Sequence, residues 1–201
     1  MSGKARHMLG SALSLLLAGL AAVITGACTS SNSLLTSTLD PVTSVTISYS
    51  RSPMVFYRDV AGRAAYARDF VHVAPLEVNR SGRYRYFLWL GIWNTMEAAP
   101  SSQSRDGFES IVIFADGEPL PLDIAGWTAS AIGASEPVHL KPVASAADAY
   151  YEVTVDQLRL IAEAKDIRIQ STGARSESYE TWDDQAIARD GLIEFLQSSV
   201  Y

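Results

Sequence analysis

The chain has 201 residues with sixteen Lys and Arg, twenty-two Asp and Glu, and a formal net charge of −6 at pH 7. This acidic balance argues against a nucleic-acid-binding surface, which needs a basic face, and against a polybasic attachment to anionic lipid. The length fits one ordinary domain. The single cysteine excludes an intramolecular disulfide, so stability must come from a packed apolar core.

The N-terminal segment has the anatomy of a secretory signal peptide, with a basic start, an apolar centre and small residues at the end. Lys4 and Arg6 provide the basic start, Leu13 to Leu20 the apolar centre, and Gly26 and Ala27 the small residues. We therefore expect residues 1–27 to be a signal peptide that is removed.

The only cysteine, Cys28, follows this segment directly. The stretch Thr25-Gly26-Ala27-Cys28 resembles the lipobox of bacterial lipoproteins, with Thr25 at the position where leucine is commonest. The resemblance covers about the first thirty residues. It implies that Cys28 is acylated, becomes the new N-terminus and holds the protein to a lipid bilayer. Thr29 follows where aspartate would imply retention in the inner membrane of enteric bacteria, so the resemblance favours an outer-membrane lipoprotein facing the periplasm, with the inner membrane and the cell surface as alternatives.

Two other interpretations of this segment remain open. The apolar run from Leu9 to Ala27 is long enough to cross a bilayer as an uncleaved anchor. It is diluted by glycine, serine and threonine, however, and no basic cluster follows it. Ordinary secretion is the other possibility, but it would leave a free thiol in an oxidising compartment.

We predict three parts: the signal at 1–27, an acylated N-terminus and flexible tether at 28–41, and a single β-rich domain at 42–201. The tether is rich in Ser, Thr and Asn and has no periodicity. Without Lys4 and Arg6 the mature chain retains fourteen basic and twenty-two acidic residues, a net charge of about −8.

Alternating apolar residues predict strands in the first half of the domain. Ser81-Gly82 is a tight connection into Arg83 to Trp93 (RYRYFLWLGIW), which becomes apolar on both faces and so resembles a buried central strand. The strands expected before it are Ser44 to Tyr49, Met54 to Tyr57 and Phe70 to Val78.

In the second half, Asp116-Gly117 turns one strand back onto the next. The composition of the segment from Trp127 to Ala147 predicts mostly loop, with one short strand near Val138 to Leu140. The other strands expected here are Phe108 to Ala115, Leu120 to Ile124, Tyr150 to Val155, Asp166 to Thr172 and Ser178 to Trp182.

Two helices are predicted. Thr154 and Gln157 have the spacing of a capping box that opens a short helix over 156–164. A C-terminal helix over 184–198, capped by Asp183 or Asp184, follows from apolar residues at helical spacing. We expect four of these to pack on the sheet: Ile187, Leu192, Phe195 and Leu196.

Many short strands with little helix predict a mainly β (α+β) domain, an antiparallel β-sandwich or open barrel. The short helix near 156–164 and the C-terminal helix complete it.

The sequence shows no catalytic constellation. His72 lies on a predicted strand face, and His139 lies between prolines (EPVHLKPV) without a second ligand at zinc spacing. The motifs of nucleotide binding and of serine hydrolases are absent. We therefore predict no cofactor, no metal and no catalytic residue.

Aromatic residues are the remaining candidates for binding. Trp89, Trp93 and Trp127 are the candidate binding residues, as a stacking platform for sugars or a docking patch for a partner. The competing interpretation is that such residues form the core of a β-domain.

Three functions follow from these observations. The favoured one is a non-catalytic envelope lipoprotein that binds a protein partner or assists an assembly, with no role for nucleic acid. The alternatives are a small-ligand or glycan-binding module and, with no residue evidence, a cell-wall hydrolase.

Overall fold

The computed structural model of the chain describes residues 33–60, 66–96, 105–173, 176–183 and 185–199. The predicted signal peptide, Cys28 and the start of the tether lie outside this part of the chain. The chain divides into two units, Met1–Ser33 and Leu34–Tyr201, and the second contains the elements that follow.

Ten strands and two α-helices are described. The strands are β1 (Leu35–Leu39), β2 (Thr46–Ser50), β3 (Met54–Asp59), β4 (Arg68–Arg80), β5 (Arg83–Asn94), β6 (Ser110–Ala115), β7 (Glu118–Gly126), β8 (Ala147–Val153), β9 (Ile167–Ser171) and β10 (Ser178–Thr181). The helices are α1 (Val155–Glu163) and α2 (Ala186–Ser198), and a short 3₁₀ helix spans Ala129–Ile132.

Eight strands form a closed antiparallel barrel in the order β3-β4-β5-β8-β7-β6-β9-β10, with β10 pairing back to β3. The hairpin of β1 and β2 extends the sheet from the second half of β4. Pro75 lies where the neighbour of β4 changes from β3 to β2, a position at which its missing N–H breaks neither ladder. The predicted mainly β antiparallel fold with two helices is confirmed.

The two long strands β4 and β5 separate two cores by alternation. Ser81 and Gly82 both have positive φ (53° and 84°), which suits the tight turn that joins the strands. Val71 and Val73 pair with Ile92 and Leu90 on the face that contacts the barrel interior. On the opposite face, Leu76 pairs with Phe87 and Ala74 pairs with Trp89, and these four residues belong to a second, outer core. The prediction of a central strand buried on both faces is confirmed.

The two helices contribute to the barrel's interior core. The Thr154–Gln157 capping box is present at the start of α1, as predicted. Leu158 and Ile161 from α1 join Ala188, Leu192 and Phe195 from α2 in the interior cluster, and Leu196 packs against it. The Ser199 carbonyl accepts a hydrogen bond from Tyr86 Oη at 3.1 Å, which places α2 near the end of the barrel where the β4–β5 turn lies.

Two details of the C-terminal helix were predicted wrongly. Ile187 is 65% exposed, because the buried face follows Ala188, Gly191, Leu192 and Phe195 at intervals of three and four. The helix begins after Gln185, which makes no side-chain cap. Its Oε1 instead accepts from the backbone N–H of Val55 at 2.9 Å. Asp183 is therefore not the cap, and Asp184 lies outside the described residues.

The outer core lies between the sheet and the segment of residues 127–146. Ala129, Ile132 and Ala134 of this segment pack on the outer faces of β4, β5 and β8. The predicted strand near Val138 to Leu140 is wrong, since these residues form no ladder. Pro137 and Pro142 lack the N–H donors that strand pairing needs, so the intervening residues lie on the sheet's face.

The predicted tether contains a strand. β1 occupies Leu35–Leu39, so the ordered domain begins before residue 42. The sequence LTSTL hides this strand, because three of its five residues are small and polar and its side chains from Ser37 onward are exposed.

No helix in the described part of the chain has the length and apolarity needed to cross a membrane.

Candidate functional site

The outer face of β5 is organised around a stack of three residues. Trp89 lies over Gly91, where an added Cβ would come within 2.6 Å of the indole ring. His139 stacks on Trp89 with ring centroids 4.4 Å apart and planes 24° apart. Tyr49 meets His139 edge-on at 4.8 Å. Glycine at position 91 therefore makes room for the indole, which in turn positions the histidine.

A polar network centred on buried Asp148 holds this stack in place. Trp89 Nε1 donates to Asp148 Oδ1 at 3.0 Å, and Lys141 Nζ lies 3.3 Å from Asp148 Oδ2. Lys141 also donates to the Ala146 carbonyl at 2.8 Å. Because Lys141 and His139 belong to one short segment, the network fixes residues 137–142 against the sheet.

The segment and the β1–β2 hairpin enclose two adjacent clefts. The first, of about 340 Å³, lies beside the β1–β2 turn, and the second, of about 300 Å³, lies over the aromatic stack. Tyr49 and Val138 line both clefts, which we together call the outer groove. The first cleft is also lined by Thr38, Leu39, Asp40, Pro41, Val42, Ile47, Ser135, Glu136 and Pro137. The second is also lined by Arg51, Pro53, His72, Trp89, His139, Leu140 and Pro142.

Exposed apolar side chains surround the outer groove. Leu140 is 97% exposed, Val42 78% and Leu39 66%. They lie beside clefts whose walls also include proline, valine and tyrosine side chains. Such grouped apolar exposure is typical of surfaces that bind partners.

Asp40 fixes the wall of the first cleft. Its carboxylate accepts hydrogen bonds from the backbone N–H groups of Val42 and Thr43, at 2.9 and 3.1 Å, and from the backbone and hydroxyl of Ser135. The hydrogen bond from the Ser135 backbone does most to hold the pKa of Asp40 well below its ordinary range. The carboxylate thereby joins the β1–β2 turn to the opposite wall of the groove.

One side of β1 borders this groove without a strand partner in the described part of the chain. Arg51 N–H donates to the Leu34 carbonyl and Asp40 N–H to the Val45 carbonyl, both at 2.8 Å. Since hydrogen-bonded pairs alternate in an antiparallel ladder, the backbone N–H and C=O groups of Thr36 and Thr38 point towards β2. The backbone groups of Ser37 therefore face away from the sheet.

The three predicted binding residues lie in different places. Trp89 is 1% exposed and contributes to one cleft wall. Trp93 is half-buried and stacks on Phe70 with centroids 4.5 Å apart, at the opposite end of β5 from the β4–β5 turn. Trp127 packs against the interior core beneath Arg105 and does not line the outer groove. The structure therefore does not unite them in one platform.

Of the two histidines beside the groove, His139 is buried and His72 is half-buried. Burial lowers the pKa of His139 to about 4 and also lowers the pKa of His72. The Nε2 atom of His139 is buried and has no hydrogen-bond partner among the described residues. In the same part of the chain, no three His, Cys, Asp or Glu side chains are grouped as metal ligands.

The chain was compared with known proteins. No family model, no curated protein and no solved structure matches it.

Sequence reasoning did not find the outer groove. Leu39 and Val42 fell in or beside the predicted tether, and Leu140 was assigned to a strand. The proline-flanked sequence EPVHLKPV was the available signal. Prolines on both sides of a short segment remove backbone N–H donors, so the segment is poorly suited to pairing as a strand.

Proposed function

We propose that the protein is a non-catalytic lipoprotein of the bacterial envelope, anchored through acylated Cys28, whose barrel binds an extended segment of a partner protein. The segment would pair with the outward side of β1 and place side chains in the outer groove. The observation that supports this most is that the stretch Ser37 to Leu39 of β1, which has no strand partner on its outward side among the described residues, borders a groove with exposed Leu39, Val42 and Leu140 beside it.

The chemistry of β1 suits strand addition. Natural sheet edges are usually protected by charge, proline or a bulge. The sequence of β1, LTSTL, has no charged residue and no proline, and it pairs with β2 in continuous register from Leu35 to Leu39. An added strand would supply backbone partners to the groups that Ser37 directs outward.

The outer groove suits apolar side chains of that segment. Alternate residues of an added strand lie on the face where Thr38 and Ile47 line the first cleft. Beyond them, Val138, Leu140 and Pro142 line the second. Each well-buried aliphatic side chain contributes roughly 1.5–3 kcal/mol relative to exposure, before the costs of association.

A membrane surface is the competing occupant of the same apolar side chains. The hydrocarbon of a membrane cannot form hydrogen bonds with the outward backbone groups of Ser37, and leaving such groups unpaired there costs several kcal/mol each. A polypeptide satisfies them. The groove is also concave, which suits inserted side chains better than a flat lipid surface.

Site-specific photo-cross-linking in cells tests this proposal. A photoreactive residue at position 140 or 42 should form a cross-link to one protein partner, and the attached peptides should come from one segment of it. Ile187 offers a matched control, since it is apolar and 65% exposed on α2, and that position should not form the same product. Cross-links to lipid alone, or equal products from all three positions, would contradict the proposal.

A further inference from the structure

The outer groove carries opposite charges at its two ends. Arg51 lies at the end where β1 begins, because its backbone N–H donates to the Leu34 carbonyl at 2.8 Å and its Nε donates to Thr36 Oγ1. Asp40 and Glu136 lie at the other end, beyond the last residue of β1, where both line the first cleft. Thr36 and Asp40 are separated by about 14 Å of extended chain.

The charges at both ends are available to a bound segment. Neither Arg51 nor Glu136 forms an ion pair with another described residue, and both side chains are exposed. Lys141, a second cation near the groove, already has an ion-pair partner. The Asp40 carboxylate is negative at neutral pH, because hydrogen bonds, chiefly from the Ser135 backbone, hold its pKa well below the ordinary range. The groove therefore presents a cation at one end and net negative charge at the other.

A strand added to β1 would bring side chains to both charged ends on one face. Its residues opposite Thr36, Thr38 and Asp40 share that face, because alternate residues of a strand point the same way. The residue opposite Thr36 lies beside the Arg51 guanidinium, since directly opposed side chains are only about 5 Å apart. The residue opposite Asp40 lies towards Glu136, and the one opposite Thr38 enters the first cleft.

We propose that the outer groove selects a five-residue segment whose first residue is a cation, whose third is apolar and whose fifth is a carboxylate. This inference rests on the proposed function and names the class of segment that β1 accepts. The direction follows from antiparallel pairing, which every described strand pair of this sheet uses and which is slightly more stable per residue than parallel pairing. An antiparallel segment starts at the Asp40 end, so its cation comes first.

The order of the charges provides the selectivity. A segment with the opposite order places its carboxylate beside Asp40 and Glu136 and its cation beside Arg51, so like charges meet at both ends. Each exposed charge pair contributes little by itself. Because the wrong order replaces attraction by repulsion twice, the two orders differ by more than one pair contributes.

Two peptides that differ only in the order of their charges test the inference on the full mature protein, in a neutral detergent. The first is acetyl-Lys-Thr-Val-Thr-Glu-amide, and the second is acetyl-Glu-Thr-Val-Thr-Lys-amide. Nuclear magnetic resonance follows the Ser37 amide, which faces the added strand and is assigned by its loss in Ser37→Pro. At low salt the first peptide should bind about tenfold more tightly than the second. The difference should shrink in about 0.5 M salt, which screens exposed charges.

Charge reversal on the protein supplies the control. Arg51→Glu should remove the preference for the first peptide. Arg83→Glu makes the same change in charge at an exposed position that does not line the outer groove, and it should leave the preference unchanged.

The possible failures are distinguishable. Equal affinity for the two peptides, or a preference of the native protein for the second, would overturn the charge pattern, while the Ser37 shift would still support pairing along β1. An undiminished preference in Arg51→Glu would overturn the pattern as well. No Ser37 shift with either peptide up to about 10 mM, where a millimolar Kd would saturate, would overturn the pattern together with strand addition to β1.

Discussion

At the scale of single residues, His139 connects the groove to the stability of the fold. It is 7% exposed, stacked on Trp89, and must be neutral to remain there. Leu140, its neighbour, is almost fully exposed. Because His139 is buried, the next residue, Leu140, projects into solvent at the edge of the second cleft.

The pH dependence of stability should report the burial of His139. Its pKa is about 4 in the folded protein against 6.5 for the free side chain, so the unfolded chain binds a proton first as pH falls. The free energy of unfolding should therefore be unaffected above pH 6.5 and fall between pH 6.5 and 4, by up to about 3 kcal/mol from this group. Urea unfolding across this range checks it. His139→Phe keeps the stack but should remove this part of the slope, and an unchanged slope would contradict the assignment.

Gly91 should prove indispensable because of Trp89. Gly91→Ala places a Cβ 2.6 Å from a rigid indole ring rather than a flexible chain end, so we expect a loss of about 1–3 kcal/mol in the free energy of unfolding. Denaturant titration measures it. In a Trp89→Leu background the same change should cost much less. Additive losses in the double variant would show that the ring is not the obstacle.

At the scale of elements, alternating apolar residues, the continuous apolar run of β5 and the turn residues predicted most strands, because each of these signals is local in the sequence. The Ser81-Gly82 and Asp116-Gly117 turns depend only on adjacent residues, so they can be predicted from the sequence. Barrel closure depends on the distant pairing of β10 with β3, which leaves no local pattern. The groove depends on the placement of residues 137–142 by Lys141 and Asp148, and that contact was equally invisible.

The C-terminal helix provides a test of its buried face. Phe195 is fully buried, so Phe195→Ala should lower the free energy of unfolding by about 3–5 kcal/mol. Ile187→Ala on the exposed side of the same helix should change it by less than about 0.5 kcal/mol. Thermal or urea unfolding distinguishes them. Comparable losses at both positions would mean that α2 lies on the barrel in another rotation.

At the scale of the whole molecule, the proposed function combines an anchor at Cys28 with a partner groove on the barrel of one acidic chain. The proposed anchor predicts that a palmitate analogue supplied to cells becomes attached to the protein. Cys28→Ala should abolish the label, because the chain has no other thiol. Gel fluorescence of the labelled protein checks this. A labelled Cys28→Ala variant would contradict the lipoprotein proposal, whereas the proposed partner groove would still need its own test.

The most direct test of the partner proposal is the yield of the position-140 cross-link in Ser37→Pro. The backbone N–H of Ser37 faces away from β2, so proline there leaves the β1–β2 ladder intact but blocks a strand from pairing outside it. We predict that the cross-link falls to the level of the Ile187 control while the unfolding temperature changes little. An undiminished cross-link in a folded Ser37→Pro protein would contradict binding along β1.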